Sequence, residues 1–274
     1  MQSDRAAAIM PEDGRLGKPP SIAGPGDANV DDQTRRQLAD LRDRLGPHTP
    51  VAVLTGAGVS SASGIPTFRG RDDSLWSQYR PEDLATPEAF ARDPELVWRW
   101  YDWRRGLIAA NRPNPAHAAL ARLGERMLLT VITQNVNGYH QQAGSRDVVE
   151  YHGSIWTTRC TRCHRRAEDR RVPLPIPPRC PDCGGLLRPG VVWFGEAIPP
   201  EASDAATAAT IRCRVFLVIG TAGAVYPAAG LVGLARSHGA YVAEFNLERS
   251  AVTASADLFV EGNAADTVPL LLGA

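Results

Sequence analysis

A glycine- and serine-rich loop follows a short apolar run that begins at residue 51. Residues 51–54 are apolar and bounded by glycine, which predicts a buried strand, and Gly56 and Gly58 come directly after it. Glycine has no Cβ, so the backbone can turn sharply there and approach a ligand closely. Backbone N–H groups in such a loop are typical of a nucleotide phosphate site. The dinucleotide pattern G-x-G-x-x-G fails at Ser61, so we expect a ligand held differently from the cofactor of a dehydrogenase.

Four of the five cysteines form two C-x-x-C pairs, Cys160 with Cys163 and Cys180 with Cys183. Sixteen residues separate the pairs, a spacing typical of Cys₄ zinc sites. Four thiolates complete the tetrahedral coordination of a zinc ion and leave no coordination position for water. The alternatives are a redox pair or four unrelated thiols. We predict one structural zinc ion, and we expect the remaining cysteine, Cys213, to be a small buried residue.

Short apolar runs alternate with helical stretches along the chain. The predicted strands cover 51–54, 127–133, 148–151, 215–219, 241–245 and 258–260, and the helices include 31–46, 115–124 and 201–211. This alternation predicts an α/β fold with an open, doubly wound parallel sheet, in which ligands bind at the carboxyl edge. Polar or glycine residues follow five strands, at 55–58, 134–137, 152–153, 220–222 and 246–248. We therefore predict one ligand site where these segments converge.

Composition and charge limit the classes of function. The 274 residues include 30 Lys and Arg against 30 Asp and Glu, which gives no general attraction to nucleic acid. No apolar run approaches the roughly 18 residues of a membrane span, and the N terminus lacks the pattern of a secretory signal. Paired cysteines of this kind suit a reducing compartment. We expect a soluble, cytoplasmic protein with no membrane partner.

Seven segments in order resemble the sirtuins, the NAD-dependent protein-lysine deacylases, from about residue 45 to the C terminus. They are GAGVSSASGIPTFRG (56–70), TQNVNGYH (133–140), YHGS (151–154), the two cysteine pairs, PGVVWFGE (189–196), GTAGAVYPAA (220–229) and EFNLE (244–248). One such motif would be weak evidence, but seven in sequence are not expected by coincidence.

The resemblance implies a Rossmann-like doubly wound sheet with a small domain, and NAD and acyl-lysine meeting in the cleft between them. The implied NAD-binding domain covers 31–70, 113–155 and 191–274. The implied small domain combines a helical insertion, 71–112, with a zinc ribbon, 156–190. Residues 1–30 are rich in Pro, Gly, Asp and Ala, and we expect them to form a flexible tail.

The resemblance also implies the roles of individual residues. His152 would be the general base toward a ribose hydroxyl, which suits a pKa near the working pH, although a lone histidine is more often a capping or core residue. NAD would be consumed as a co-substrate. The residues assigned to it are Gly56, Ala57, Gly58, Thr67, Phe68, Arg69, Trp76, Gln134, Asn135, Val136, Asn137, Gly220, Thr221, Ala222, Asn246, Leu247, Glu248 and Ala264.

Two further sets are assigned to the acyl-lysine protein or peptide substrate. Val192, Trp193, Phe194 and Gly195 would pair with its backbone as a short strand. Tyr101 and Arg104 match the tyrosine and arginine with which the desuccinylase and demalonylase branch, class III, reads an acyl carboxylate. Residues i and i+3 share a helix face, so both could grip one carboxylate. The alternative is a surface arginine on an arginine-rich helix.

Asn137 departs from the family pattern, because it stands where sirtuins usually have an aspartate beside the nicotinamide carboxamide. The amide oxygen can still accept a hydrogen bond, but the charge is lost, and a charge-assisted bond is about twice as strong as a neutral one. We therefore expect an active enzyme with weaker capture of nicotinamide.

Two other functions remain open from the sequence. A mono-ADP-ribosyltransferase or NAD hydrolase could use the same scaffold. A non-enzymatic zinc ribbon could bind nucleic acid through the arginines around the cysteines: Arg159, Arg162, Arg165, Arg166, Arg170 and Arg171. Such a patch is more often a solvated face, so we do not expect nucleic acid as a partner, and we expect a monomer.

Overall fold

The structure, a computed structural model, describes residues 31–67 and 80–273. The chain divides into two compact units. Among the described residues, the large unit covers 31–65, 112–152 and 198–273, and the small unit covers 66–67, 80–111 and 153–197. The predicted tail and the predicted NAD residues Phe68, Arg69 and Trp76 lie outside the described residues.

The six predicted strands occur in the predicted order, and three further strands lie between the third and the fourth of them. The strands are β1 (Val51–Thr55), β2 (Leu129–Thr133), β3 (Val148–Glu150), β4 (Gly153–Cys160), β5 (Arg166–Glu168), β6 (Leu187–Val191), β7 (Val215–Ile219), β8 (Tyr241–Asn246) and β9 (Leu258–Glu261). The α-helices are α1 (Asp32–Arg44), α2 (Pro81–Leu84), α3 (Pro87–Arg92), α4 (Pro94–Ala110), α5 (Pro115–Arg126), α6 (Tyr139–Gln142), α7 (Pro200–Arg212), α8 (Gly230–Ser237) and α9 (Ala264–Thr267). Short 3₁₀ helices cover Ala57–Ser63, Thr253–Ser255 and Val268–Leu272.

The large unit is built on a six-stranded sheet in the order β3-β2-β1-β7-β8-β9, with every neighbouring pair parallel. Val51 of β1 lies opposite Leu129 of β2 on one side and Val215 of β7 on the other. The strand order therefore runs outward in both directions from β1, which confirms the doubly wound fold. The change of direction at β1 and β7 is the position where such sheets bind ligands.

Apolar side chains cover both faces of this sheet. Val53 and Leu217 point into one cluster, and their strand neighbours Leu54 and Val218 point into the other. A parallel strand that is buried on both faces appears in sequence as a continuous apolar run. This explains why β1 and β7 could be located from sequence alone.

Two local expectations needed correction. The predicted strand from residue 127 begins at Leu129, because Met127 closes α5 through its N–H bond to the Leu123 carbonyl and Leu128 is exposed. The segment expected to be a glycine- and serine-rich loop after β1 is a 3₁₀ helix over Ala57–Ser63. That segment consists of glycine, serine, alanine and one valine, and it has no helical apolar period.

The small unit combines helices α2–α4 with a three-stranded antiparallel sheet in the order β5-β4-β6. Asp93 accepts a hydrogen bond from the Leu96 N–H, and Pro94 occupies the first turn. These two residues therefore cap and start α4. Trp98 is fully buried, and its indole N–H donates to the Leu187 carbonyl of β6 at 2.7 Å. This bond joins α4 to the ribbon within the unit. Over the described residues, no helix combines the length and the apolarity that crossing a bilayer requires.

A buried cation also links α4 to the ribbon. Arg105 is fully buried, and among the described residues its three guanidinium nitrogens have no hydrogen-bond partner. The Asp169 carboxylate lies 4.0 Å away and is held by Arg171 at 2.7 Å. Burial lowers the pKa of Arg105, and the Asp169 charge acts against that effect. Arg105 therefore depends on Asp169, whereas Asp169 has a second cation.

We expect Asp169→Asn to destabilise the protein by about 3 kcal/mol, because it leaves the buried Arg105 charge uncompensated. Arg105→Met should unfold at the wild-type temperature or above it, because Asp169 keeps Arg171 and no buried charge remains. Thermal unfolding of the full chain measures both, with Arg170→Met as the exposed control. An Arg105→Met protein as unstable as Asp169→Asn would contradict this account.

Candidate active site and metal centre

The loop after β1 packs against the end of β7 through backbone atoms. The Gly56 N–H donates to the Ile219 carbonyl at 3.1 Å, and the Gly58 N–H donates to the Gly220 carbonyl at 2.8 Å. A Cβ on Gly58 would lie 2.8 Å from Gly220 Cα, and one on Gly220, at φ +59°, would lie 2.3 Å from Val59 N. These glycines are therefore required by contact between two strand ends, where the sequence had suggested close approach to a ligand.

Three polar side chains join the ends of β2, β7 and β8 at the carboxyl edge. The Gln134 side-chain amide donates to Thr221 Oγ1 at 3.0 Å, and the Asn246 amide donates to the Thr221 carbonyl at 2.9 Å. The Gln134 backbone N–H donates to the Thr55 carbonyl of β1. The structure thus brings together residues that the sequence placed far apart, as the parallel topology predicts.

A buried network of neutral polar groups lies beneath this edge. Ser60 Oγ accepts hydrogen bonds from the side-chain amides of Asn135 at 3.3 Å and Asn137 at 3.0 Å. His117 Nε2 lies 3.2 Å from the same oxygen. A hydroxyl oxygen has two lone pairs, and here both accept amide N–H groups. Asn137 therefore acts as a donor toward Ser60, a direction that a carboxylate could not provide.

Two histidines of this network are kept neutral. Burial lowers the pKa of His140 to about 4 and moves the pKa of His117 well below its usual value, with the nearby His140 adding to that shift. Their rings are 4.8 Å apart, and His140 Nε2 lies 3.0 Å from Thr55 Oγ1.

Four residues of this network had no role predicted from the sequence: Ser60, Asn114, His117 and His140. Asn114 caps α5, with Pro115 in the first turn, and its amide donates to the Val59 carbonyl. The capping pattern was readable in the sequence. Its contact with the loop that lies 55 residues earlier in the chain could not be read from that pattern.

His152 follows β3 and is half-buried at the same edge of the large unit. Its Nδ1 lies 3.1 Å from the Gln134 carbonyl oxygen, which can only accept, so Nδ1 carries the proton and donates. Burial lowers the pKa of His152, and the bond to Gln134 opposes that shift. The neutral ring therefore presents Nε2 without a proton, which is the form of a general base.

The other residues assigned to NAD occupy varied positions. Ala57 and Val136 are half-buried, Ala222, Leu247 and Glu248 are exposed, and Ala264 is buried at the start of α9. These six lie in the large unit, and Thr67 lies in the small unit. The polar strand ends fit a dinucleotide, because they offer neutral hydrogen-bonding side chains at the switch point of the sheet.

Four sulfurs of the small unit form a site that could hold one metal ion. Those of Cys160, Cys163, Cys180 and Cys183 all lie within 4.8 Å of one another. The Cys160–Cys183 and Cys163–Cys180 separations are 3.5 and 3.7 Å. Tetrahedral zinc with Zn–S bonds of about 2.3 Å requires sulfurs roughly 3.8 Å apart. The Gly185 N–H also lowers the pKa of Cys183 to about 6, which favours a thiolate. The cluster fits zinc, as the spacing predicted, whereas Cys213 is buried elsewhere, in the large unit.

Tyr101 and Arg104 lie one turn apart on α4 and are both buried. Burial raises the pKa of Tyr101 to about 12 and lowers the pKa of Arg104 to about 10. Arg104 stacks on Trp100 at 5.3 Å and is not the surface arginine that the alternative interpretation expected. A guanidinium removed from water in this way gains strongly from a carboxylate.

The segment assigned to the substrate backbone follows β6 directly. Phe194 is 42% exposed, and Trp193 is buried against Phe90 with 5.4 Å between ring centroids. The Trp193 N–H donates to Glu196, and the Phe194 N–H donates to the Ala85 carbonyl. Both N–H groups are thus occupied within the small unit, so any substrate strand would use other backbone groups of Val192 to Gly195.

Acidic neighbours neutralise half of the arginine patch around the cysteines. Arg165 pairs with Asp182, Arg170 with Glu168, and Arg171 with Asp169. Phosphate binding would have to displace these partners, which weakens the case for a nucleic-acid module.

Comparison with known proteins identifies relatives over most of the chain. The Sir2 family pattern matches residues 56–227. A Pyrobaculum aerophilum protein named NAD-dependent protein deacylase 2 is 51% identical over 234 residues, which is 85% of this chain and 94% of that protein. An Aquifex aeolicus protein named NAD-dependent protein deacylase is 52% identical over 210 residues, 76% of this chain and 87% of that protein.

Solved structures give the same result. A Sir2 homologue bound to NAD is 43% identical with a TM-score of 0.79, and the match covers 89% of this chain and 93% of that one. A Sir2 complex with a p53 peptide and NAD⁺ is 31% identical with a TM-score of 0.76, over 86% and 96% of the two chains. The family pattern matches more than half of this chain, and the two named relatives are about half identical to it over most of its length. This chain therefore belongs to the Sir2 family.

Proposed function

We propose that this protein is an NAD-dependent protein-lysine deacylase that prefers acidic acyl groups such as succinyl and malonyl. The products are the free lysine, nicotinamide and O-acyl-ADP-ribose. The observation that carries the proposal is the neutral His152 ring at the carboxyl edge of the sheet, held through Nδ1 by the Gln134 carbonyl. Family membership and relatives named NAD-dependent protein deacylase support the same activity.

His152 acts as the general base in this mechanism. NAD supplies an electrophilic ribose carbon, to which the acyl oxygen of the substrate bonds as nicotinamide leaves. Because Nδ1 donates to Gln134, Nε2 accepts the proton of a ribose hydroxyl, and that hydroxyl oxygen then bonds to the acyl carbon. Water completes the release of the lysine amine and the acylated ADP-ribose.

The residues of the large unit hold NAD. The loop 56–58 faces the diphosphate, and Gln134 and Asn135 orient the ribose on the nicotinamide side. Thr221 and Asn246 contact the diphosphate and the adenine-side ribose. Their mutual hydrogen bonds support these roles, because they fix the side chains before the ligand arrives.

Acyl preference depends on Tyr101 and Arg104 of the small unit. Burial of both groups and the lowered pKa of Arg104 support a carboxylate-binding role, because a carboxylate would compensate a guanidinium that has lost its water.

Arg104→Met should lower kcat/KM for succinyl-lysine peptide by about 10- to 100-fold, the usual range for loss of a charged hydrogen bond. The reaction with acetyl-lysine peptide should change far less, because that acyl group carries no charge. Arg99→Met is the control, since Arg99 lies on the same helix and is exposed beside Glu95. Peptides with each acyl group and NAD are incubated with enzyme, and products are quantified by mass spectrometry.

Two results would contradict the proposal. Equal losses on both peptides would remove the acyl-recognition role of Arg104. ADP-ribosylated protein or free ADP-ribose, without deacylated peptide, would instead favour the mono-ADP-ribosyltransferase or NAD hydrolase that the Asn137 departure leaves open.

Asn137→Asp should strengthen inhibition by nicotinamide, because a carboxylate restores the charge-assisted bond to its carboxamide. The exchanged side chain would also accept the Ser60 hydrogen and so reverse the present direction of that bond. Inhibition constants for nicotinamide, measured for both proteins at one NAD concentration, test this. Identical constants would show that residue 137 does not face the carboxamide.

The purified protein should contain one zinc ion per chain, lost in Cys163→Ser together with several degrees of melting temperature. Cys213→Ala is the control, since Cys213 is a cysteine outside the cluster. Metal analysis by mass spectrometry and thermal unfolding provide the two measurements. Full zinc content in Cys163→Ser would contradict a four-sulfur site.

A further inference from the structure

The buried Tyr101 hydroxyl has a specific hydrogen-bond donor. The indole N–H of Trp193 donates to the Tyr101 oxygen at 2.9 Å, and the two side chains are only 3% and 5% exposed. An indole N–H can donate but not accept, so the direction of this bond is fixed. The Tyr101 oxygen therefore receives one hydrogen, and its own hydrogen is left to donate.

A closed set of contacts holds the Trp193 ring in place. The Arg188 guanidinium stacks on the ring at 3.5 Å and makes two hydrogen bonds to Glu196, at 2.6 and 2.8 Å. Glu196 in turn accepts the Trp193 backbone N–H at 2.9 Å. Burial opposes ionisation of Glu196, but the bonds to Arg188 and Trp193 outweigh it and keep its pKa below the usual value. The indole is therefore clamped from its ring face and from its backbone.

A Tyr101 hydroxyl that is held as a donor suits an anionic acyl group. Burial raises the pKa of Tyr101 to about 12, so the phenol keeps its proton at neutral pH. A carboxylate only accepts hydrogen bonds, and a phenol constrained to donate is a matched partner for it. Arg104, on the same face of α4, adds the positive charge.

We propose that Trp193 is a positioning residue for acyl specificity: its indole N–H orients the Tyr101 hydroxyl as a donor toward the acyl carboxylate. This rests on the proposed acidic-acyl preference and adds a residue assigned so far only through its backbone. The effect passes through Tyr101, so the two side chains act as one unit.

The test is a double-mutant cycle with Trp193→Phe and Tyr101→Phe. Phenylalanine at 193 keeps a ring against Arg188 and Phe90 but has no N–H. We expect Trp193→Phe to lower the ratio of succinyl to acetyl kcat/KM about fivefold, the effect of one hydrogen bond, mainly through KM for succinyl peptide. In the Tyr101→Phe background the same change should leave the ratio unaltered. Zinc content and melting temperature report folding, and Arg99→Met is the control for altered selectivity.

Several outcomes decide between the hypotheses. A ratio that Trp193→Phe leaves unchanged, or an equal further fall in the Tyr101→Phe background, would overturn the positioning role. If Trp193→Phe fails to fold, Glu196→Gln replaces it, because it loosens the Arg188 clamp at similar size, and it should lower the ratio in the same direction. A wild-type enzyme without preference for succinyl peptide, and insensitive to Arg104→Met, would instead refute the acidic-acyl function itself.

Discussion

The large unit depends on one backbone contact, between the loop after β1 and the end of β7. Gly58 and Gly220 meet so closely that no side chain fits at either position. This contact lies where the strand order changes direction. It therefore forms the base of the sheet edge at which doubly wound folds bind ligands. Gln134, Thr221 and Asn246 are then fixed relative to that base by their bonds to each other and to β1. Because glycine stands at both positions, the loop lies directly against the end of β7, beside the polar residues at the neighbouring strand ends.

The two units differ in the charge of the buried polar side chains that surround their candidate sites. Beneath the large-unit edge, His117 and His140 are neutral, and the uncharged Asn137 side chain donates to Ser60 beside them. The described part of the small unit instead buries three arginines. Arg188 is compensated fully by Glu196, Arg105 partly by Asp169, and burial lowers the pKa of Arg104. Arg188 also stacks on the Trp193 ring, so its charge serves to hold that side chain in place.

The fold was largely predictable, and the failures have definite causes. Parallel strands buried on both faces appear as apolar runs, so β1, β7 and β8 were located to within a residue. The helices predicted at 31–46, 115–124 and 201–211 correspond to α1, α5 and α7. The 3₁₀ helix after β1 was missed, because its glycine-, serine- and alanine-rich composition has no helical apolar period.

The sequence by itself determined the sheet, the four metal-binding sulfurs, the family and the identity of the candidate base. All of these depend on local pattern or on residue type at a fixed spacing. Only the tertiary structure decided which atoms of these and neighbouring residues donate hydrogen bonds and which accept them. It assigned the His152 proton to Nδ1 through Gln134, linked Asn137 to His117 through Ser60, and oriented the Tyr101 hydroxyl through Trp193. Hydrogen-bond direction depends on partners brought together from distant parts of the chain, and no local pattern records them.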